Sequence, residues 1–440
     1  MLVMKRKMVS AIALTILLTS ILILAFNIQP VKASGTIYIR ADGSIDPPTA
    51  PIQRDGDVYT LTGNITSDGN GIIIMRSNVT IDGAGYTLQG IGAFSMGMYI
   101  ESRSNVTIKN AKIKGFESGI SFFGYTPALK FNKVVGNYIV NNSYGIRVVG
   151  DSYNIIAGNN ILNNTWGVIL FASSNNTIVG NNIIANDKGI TLWDGSSNNS
   201  IFGNNMESNF YGIMLVYGSS NNKIFHNNFI NNTRQADSVG YNNTWDDGYP
   251  FGGNYWSDYA AIDELNGPYQ NITGSDGIGD TSHDIDENNI DRYPLMAPFT
   301  TFDAGTWNGT AYNVNVISNS TASNFQLNTI QKTTSFNVSG VEGTAGFCRI
   351  TIPNIIVQEL WNGNYTVLLN GEPCPFRNWT DTTNTYIYIN YTHSQHQIAI
   401  IPEFPSVLFL PLLLVSTLGA VVLSKKRRQK CSREVRSIHC

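Results

Sequence analysis

Charge is what this chain has least of. Only 13% of its 440 residues are Asp, Glu, Lys or Arg, about half the usual ~25% of soluble domains. So few cations cannot neutralise a phosphate backbone, so a nucleic-acid partner is not expected. Cysteine is scarce too: four in 440 residues make no disulfide scaffold. A disordered acidic chain is excluded from the other side, because 21 Tyr, 20 Phe and 7 Trp can bury a large apolar surface.

The few charges are unevenly placed. Residues 1–33 hold Lys5, Arg6, Lys7 and Lys32 and no acid. Residues 425–440 hold seven Lys or Arg against Glu434. The formal charge of −3 therefore hides a body, residues 34–424, of −13. Lys5-Arg6-Lys7 before the uncharged run Met8 to Phe26, with Val31-Lys32-Ala33 after it, has the order of a secretory signal peptide over 1–33. Near the other end, Pro402-Glu403-Phe404-Pro405 precedes an uncharged stretch from Ser406 to Ser424. Those residues are just long enough to span a ~30 Å bilayer core as a helix. Lys425, Lys426, Arg427 and Arg428 follow and would stay cytoplasmic. The expectation is an exported body held at the cell surface by a membrane helix within 401–424, with a basic tail over 425–440.

The Pro-Glu-Phe motif, the apolar span and the basic tail resemble the tripartite sorting signals of archaeal surface proteins. In that family an enzyme removes the tail and a lipid can replace it. Sixteen Asn-X-Ser/Thr sequons between Asn64 and Asn390 are candidate glycosylation acceptors in an exported chain.

The strongest signal is internal repetition. Gly145-Ile-Arg-Val, Gly167-Val-Ile-Leu, Gly189-Ile-Thr-Leu and Gly212-Ile-Met-Leu recur at 22 or 23 residues. Gly-Asn-Asn-Ile and its variants place a second Asn at 160, 182, 205 and 228. Ser-Asn-Asn-X-Ile recurs at Asn176, Asn199 and Asn222. Each period holds three short alternating segments, too short for helices. A three-strand coil of about 22 residues is the geometry of a right-handed parallel β-helix, whose coils bury an apolar face only by stacking. Asn at a fixed corner can then pair with its copy in the next coil. Asn and Gly also tolerate the left-handed backbone of tight corners.

These coils resemble the NosD-type β-helix family, within the larger group of carbohydrate-binding proteins and sugar hydrolases. Asn254-Tyr-Trp-Ser-Asp258, Asp276-Gly-Ile-Gly-Asp280 and Arg292-Tyr-Pro-Leu295 resemble the cap that closes such domains. The solenoid with its N-terminal cap strands is assigned to 34–240 and the acidic, aromatic cap to 241–299. Residues 300–400 lose the period. Runs such as Tyr365-Thr-Val-Leu-Leu, with Asn370-Gly371 as a hairpin turn, suggest a small antiparallel β-sandwich. The whole is an all-β chain.

Glycoside hydrolysis needs two carboxylates ~5–9.5 Å apart, and so at matching offsets in adjacent coils. Aligned on their Gly, the four repeats place Arg147 and Val149, Ile169 and Phe171, Thr191 and Trp193, and Met214 and Val216 outward. No acid is among them, which argues against an enzyme on this face. Trp166, Phe171, Trp193, Tyr211 and Met214 instead form an apolar face, and such faces mark contacts. Three occupants suit it: the C-terminal domain folded back, a surface-layer or other protein, or a surface glycan stacked on Trp193 and Phe171. A structural or adhesive role follows. The alternative is a carbohydrate-active hydrolase or lyase whose acids lie in the first coils or in the cap.

Copper delivery is associated with the family name, but the histidines, His226, His283, His393, His396 and His439, are scattered, and copper wants clustered His, Cys or Met. Calcium suits the cap better, with Asp258, Asp276 and Asp280 as candidate oxygen ligands. Cys348 and Cys374 are a candidate disulfide outside the cell.

Overall fold

The computed structural model describes residues 35–124 and 130–403. The signal segment, the apolar span and the basic tail lie outside the described residues. Among those described, no helix is long and apolar enough to cross a membrane. The chain divides at Phe299 into two compact units.

The first unit is a right-handed solenoid of about eight turns. Three sheets run along it, one of ten strands and two of nine. We call the ten-stranded one sheet A. Its strands include Met96–Glu101, Ser118–Phe123, Tyr144–Val149, Trp166–Phe171, Lys188–Trp193, Tyr211–Leu215 and Arg234–Ser238. Each is parallel to its copy one coil on, so Ile146, Val168, Ile190 and Ile213 stand in one column. Val148, Leu170, Leu192 and Leu215 stand in the next, and all eight are fully buried. The inward register read from the repeats is the register of the core. Burial of each such side chain favours folding by about 1.5–3 kcal/mol before entropy is counted. At the amino end, Ile45–Asp46 and Ile52–Asp55 pair antiparallel to their neighbours and so end the parallel stacking there.

The coils are also held at their corners. Asn137, Asn159, Asn181, Asn204, Asn227 and Asn254 form one buried column. In it Asn159 donates its backbone N–H and its Nδ2 to Asn181 Oδ1 at 3.0 and 2.9 Å, and Asn181 Nδ2 donates back to the Ile156 carbonyl. Two more columns run through Asn142–Asn164–Asn186–Asn209–Asn232 and Asn132–Asn154–Asn176–Asn199–Asn222–Asn243. The Asn-Asn pairs thus divide their work. The first residue of Asn181-Asn182 and Asn204-Asn205 builds the buried column; the second stacks outside it, Asn205 Nδ2 on Asn182 Oδ1.

Glycine divides in the same way. Gly158, Gly180 and Gly203 turn corners at φ near +62 to +65°. Gly145, Gly167, Gly189 and Gly212 are required for a different reason. A Cβ on Gly167 would stand 2.5 Å from the Gly189 carbonyl oxygen and 3.2 Å from Ile183 Cγ2. Here coil spacing, not backbone freedom, demands glycine.

The solenoid closes on Trp256, stacked 4.2 Å above Phe229. Trp245, Ile278 and Leu295 are fully buried around it, so the three cap strings are core.

The second unit holds two five-stranded antiparallel sheets that share one core, with Val314 and Ile350 from one sheet and Phe336 and Ile398 from the other. Asn370 (φ 55°) and Gly371 (φ 86°) form the expected turn, pairing Leu369 with Glu372. One helix, Asn354–Trp361, was not legible: its Ile355-Ile356-Val357 run reads as strand. It buries Ile356, Val357, Leu360 and Trp361 on one side and stops at Asn362, φ 50°. The candidate disulfide is not formed. Cys348 is buried on the central strand of one sheet, while Cys374 follows an edge strand of the other, and both are free thiols. Burial pushes the Cys348 thiol far above its ordinary range.

Candidate binding face

The outer surface of sheet A carries three rows of side chains, set by the parallel register. The first runs Tyr144, Trp166, Lys188, Tyr211, Arg234. The second runs Ser121, Arg147, Ile169, Thr191, Met214, Asp237. The third runs Glu101, Phe123, Val149, Phe171, Trp193. Large aromatics thus stand on both sides of a middle row of smaller groups.

The two sides meet. Trp166, from the first row, and Trp193, from the third, approach edge to face with centroids 5.8 Å apart. Between them in the middle row are Ile169, 6% exposed, and Thr191, fully buried. Both were expected to face solvent; the indoles bridging adjacent coils cover them. Tyr144 stacks on Trp166 at 6.1 Å, and Tyr217 lies 4.7 Å from Trp193. Tyr144, Trp166, Trp193 and Tyr217 therefore form one continuous diagonal strip.

All five side chains singled out in the sequence lie on this face. Trp166 and Trp193 are in contact; Phe171 is the register neighbour of Trp193, and Tyr211 of Lys188; Met214 lies beside Thr191. The cations were missed. Lys188 Nζ sits 4.5 Å from the Trp166 ring centroid, and Arg234 5.5 Å from that of Tyr211. Arg147 lies over both Tyr144, at 4.9 Å, and Phe123, at 5.3 Å. Arg147 was visible as an outward residue, but its ring partners come from two strands. Tyr217, 65% exposed, was missed because it follows the last strand residue, in a turn.

Two acids on the face lie beyond the four aligned repeats. Glu101 is the register partner of Phe123, and Asp237 of Met214. They are six coils apart, roughly 29 Å, far too distant for a hydrolytic pair. At the Glu101 end, a recess of about 270 Å³ is lined by Ile73, Tyr99, Glu101 and Arg103.

The cap acids are mostly committed to backbone. Asp263 accepts the N–H groups of Asp276 and Gly277; Asp276 accepts that of Ile278; Asp280 accepts those of Glu264 and Leu265. Burial pushes the Asp263 carboxyl up to about 7, with Asp276 and Asp280 adding repulsion. Asp258 stands apart, beside His283. Among the described residues no three His, Cys, Asp or Glu converge as metal ligands. The described histidines are dispersed: His226 stacks on Phe299, His283 on Trp256, and His393 and His396 flank Tyr391. His393 lies in the turn between the strands Asn384–Thr392 and Gln395–Pro402, and His396 lies on the second. Met98 is fully buried in the core. These donors do not fit a copper site.

Residues 52–261 match the family described as "Periplasmic copper-binding protein (NosD)". No curated protein matches the chain. Among solved structures it is similar to the periplasmic alginate epimerase AlgG, at 17% identity over 42% of this chain and 51% of that one, with a TM-score of 0.32. The chain thus spans about half the length of that epimerase. It is also similar to tailspike protein gp49 from Acinetobacter baumannii bacteriophage Fri1, a capsular polysaccharide depolymerase (10% identity, 77% and 66% covered, TM-score 0.31). A third is the enzymatically active domain of bacteriophage CBA120 tailspike protein 2 (14%, 83% and 68%, TM-score 0.30). At these scores the likeness says nothing about ligand or reaction.

Proposed function

We propose that this NosD-like solenoid is an exported glycan-binding element, structural or adhesive in role, that lays a polysaccharide along the outer surface of sheet A. The observation that carries the reading is the strip Tyr144–Trp166–Trp193–Tyr217. Sugar rings present apolar C–H faces that stack on aromatics, and a strip crossing several coils offers successive rings successive platforms. A protein partner would meet the same side chains. Against that, the strip is narrow and its flanks are polar or charged at Lys188, Arg147 and Arg234. Export rests on the basic and apolar order of residues 1–33 and on the periplasmic description of the matched family. Attachment to the membrane through 401–424 remains part of the proposal.

A glycan array probed with the chain, with Trp193→Ala beside it, tests this. Binding that falls at least tenfold in the variant while the melting temperature shifts by a few degrees supports the reading. Lost stability with unchanged binding overturns it.

A second reading is favoured by one feature, the recess at Tyr99, Glu101 and Arg103. It places an acid, a phenol and a guanidinium at one end of the aromatic face, as a carbohydrate-active enzyme acting on a bound chain would. Reducing-end release from an array-positive polysaccharide, abolished by Glu101→Gln with binding retained, would establish it; no release sets it aside.

A further inference from the structure

The glycan proposed above is not specified by aromatics alone, and the cations on the same face narrow its class. Arg147 and Arg234 form no ion pair or side-chain hydrogen bond among the described residues. Each is held against a ring instead. Lys188, the third, is shared between the Trp166 ring and Asp187. A guanidinium parked on an aromatic face keeps its charge and most of its N–H donors directed elsewhere. That is the state of a donor awaiting an anion.

Along the solenoid axis their spacing is regular, with Arg147 in the second row and Lys188 and Arg234 in the first. Arg147 belongs to the strand Tyr144–Val149, Lys188 to Lys188–Trp193 and Arg234 to Arg234–Ser238. Each is two coils from the next, because one strand intervenes each time. Two coil rises are about 10 Å, close to the length of a disaccharide unit in an extended chain. Cations therefore recur at every second sugar, with Trp166 and Tyr211 in the coils between. The acids on this face are Glu101 and Asp237 at its two ends, Asp187 engaged with Lys188, and Asp194 in the turn after Trp193. None stands between Arg147 and Lys188 in the rows. On a body of net charge −13, such a set of cations on one face is a local exception that a neutral ligand does not need.

Resting on the glycan-binding reading, we infer that the ligand is an acidic polysaccharide, whose carboxylates meet Arg147, Lys188 and Arg234 while its rings stack on the aromatic strip. The planar guanidinium fork matches a carboxylate bidentately, so the proposal commits to uronic acids, and a sulfated polymer is the competing arm of the test. Binding is then salt-sensitive, since these groups are at least partly solvated.

The test uses the full chain in mild detergent with polygalacturonate and polymannuronate, each beside its carboxyl-reduced neutral counterpart, and with dextran sulfate, which carries no carboxylate, as the sulfated arm. The expected result is at least tenfold tighter binding to a polyuronate than to its neutral form, weakening between 50 and 500 mM salt. The double variant Arg147→Gln/Arg234→Gln should lose that preference with an unchanged melting temperature. Equal binding of charged and neutral polymers, lost in Trp193→Ala, overturns the acidic class and leaves glycan binding standing. A preference for dextran sulfate overturns the carboxylate assignment. Binding to none of the five overturns both readings.

Discussion

Asp291 terminates the asparagine column that runs from Asn137 to Asn254: its Oδ2 accepts the backbone N–H of Asn254 at 2.7 Å, where every earlier coil of the column offers an Asn oxygen. The same carboxylate accepts Trp256 Nε1 at 2.9 Å and the Tyr293 N–H at 3.1 Å. It is wholly buried, and burial pushes its pKa up to about 7 although these donors oppose the shift. Gly253 leaves the room it needs, since a Cβ there would stand 1.8 Å from Asp291 Oδ1.

Asp291→Ala leaves three buried donors without an acceptor. The expected loss is about 3 kcal/mol or more, read as a lower denaturation midpoint of the first unit. Asp291→Asn keeps one acceptor and should lose less. An Asp291→Ala midpoint equal to that of the parent would show that the column does not depend on this terminus.

The same logic separates the two members of an Asn pair. Asn181→Ala removes the acceptor of two bonds and a donor to Ile156. It should cost about 2–4 kcal/mol. Asn182→Ala removes only two outer amide–amide hydrogen bonds, to Asn160 and from Asn205, which water can replace, and should cost under ~1 kcal/mol. Urea titration of the two variants checks the ordering.

Glycine substitutions should split likewise. Gly167→Ala meets a carbonyl oxygen at 2.5 Å, which the backbone must move to relieve, so a loss above ~3 kcal/mol is expected. Gly158→Ala meets nothing and costs only its left-handed φ, about 1–2 kcal/mol. Gly158→Asn should be milder still.

Asp151 stands where later coils have Ser173 and Ser196, and its own N–H donates to Ser173 Oγ. It is 1% exposed, and neither carboxylate oxygen is hydrogen-bonded. Burial pushes it up to about 6, opposed by Asn154 and by the charge of buried Lys130. A carboxyl with a raised folded pKa binds more protons folded than unfolded. Its contribution is therefore intact below pH ~4 and is lost as pH rises toward 6. Asp151→Ser should stabilise the chain by about 2 kcal/mol at pH 7.5 and leave it nearly unchanged at pH 4. Thermal melts at the two pH values decide. Asp263 and Asp291 are displaced in the same direction, so only the difference between variant and parent at each pH isolates Asp151.

The solenoid was legible because one requirement repeats: Ile, Val or Leu inward, Gly where coils touch, Asn at the corner. Each coil restates it, and Ile146 to Ile213 need no knowledge of anything distant. What was not legible depends on residues that meet from different coils. The burial of Ile169 and Thr191 follows from Trp166 touching Trp193 across a coil boundary. The setting of Arg147 needs Phe123 and Tyr144 together. Asp291 lies 37 residues from the Asn254 it serves, and nothing in its neighbourhood marks it as a terminus. In the second unit, β-branched residues disguised the helix Asn354–Trp361, whose place is set by Trp361 reaching the Lys332 carbonyl at 2.8 Å.

The asparagine columns also have a direction. Within each, a coil's amide and backbone N–H wait for the oxygen of the following coil, and the newcomer's Nδ2 reaches back to a carbonyl already in place. A chain supplied amino end first can therefore lock each coil onto a finished one. A newly placed corner asparagine such as Asn181 closes three bonds to the coil before it at once, so each added coil holds the last one shut. Pulled from its far end, such a stack should open one coil at a time, so the bonds that order its assembly also set its resistance to force.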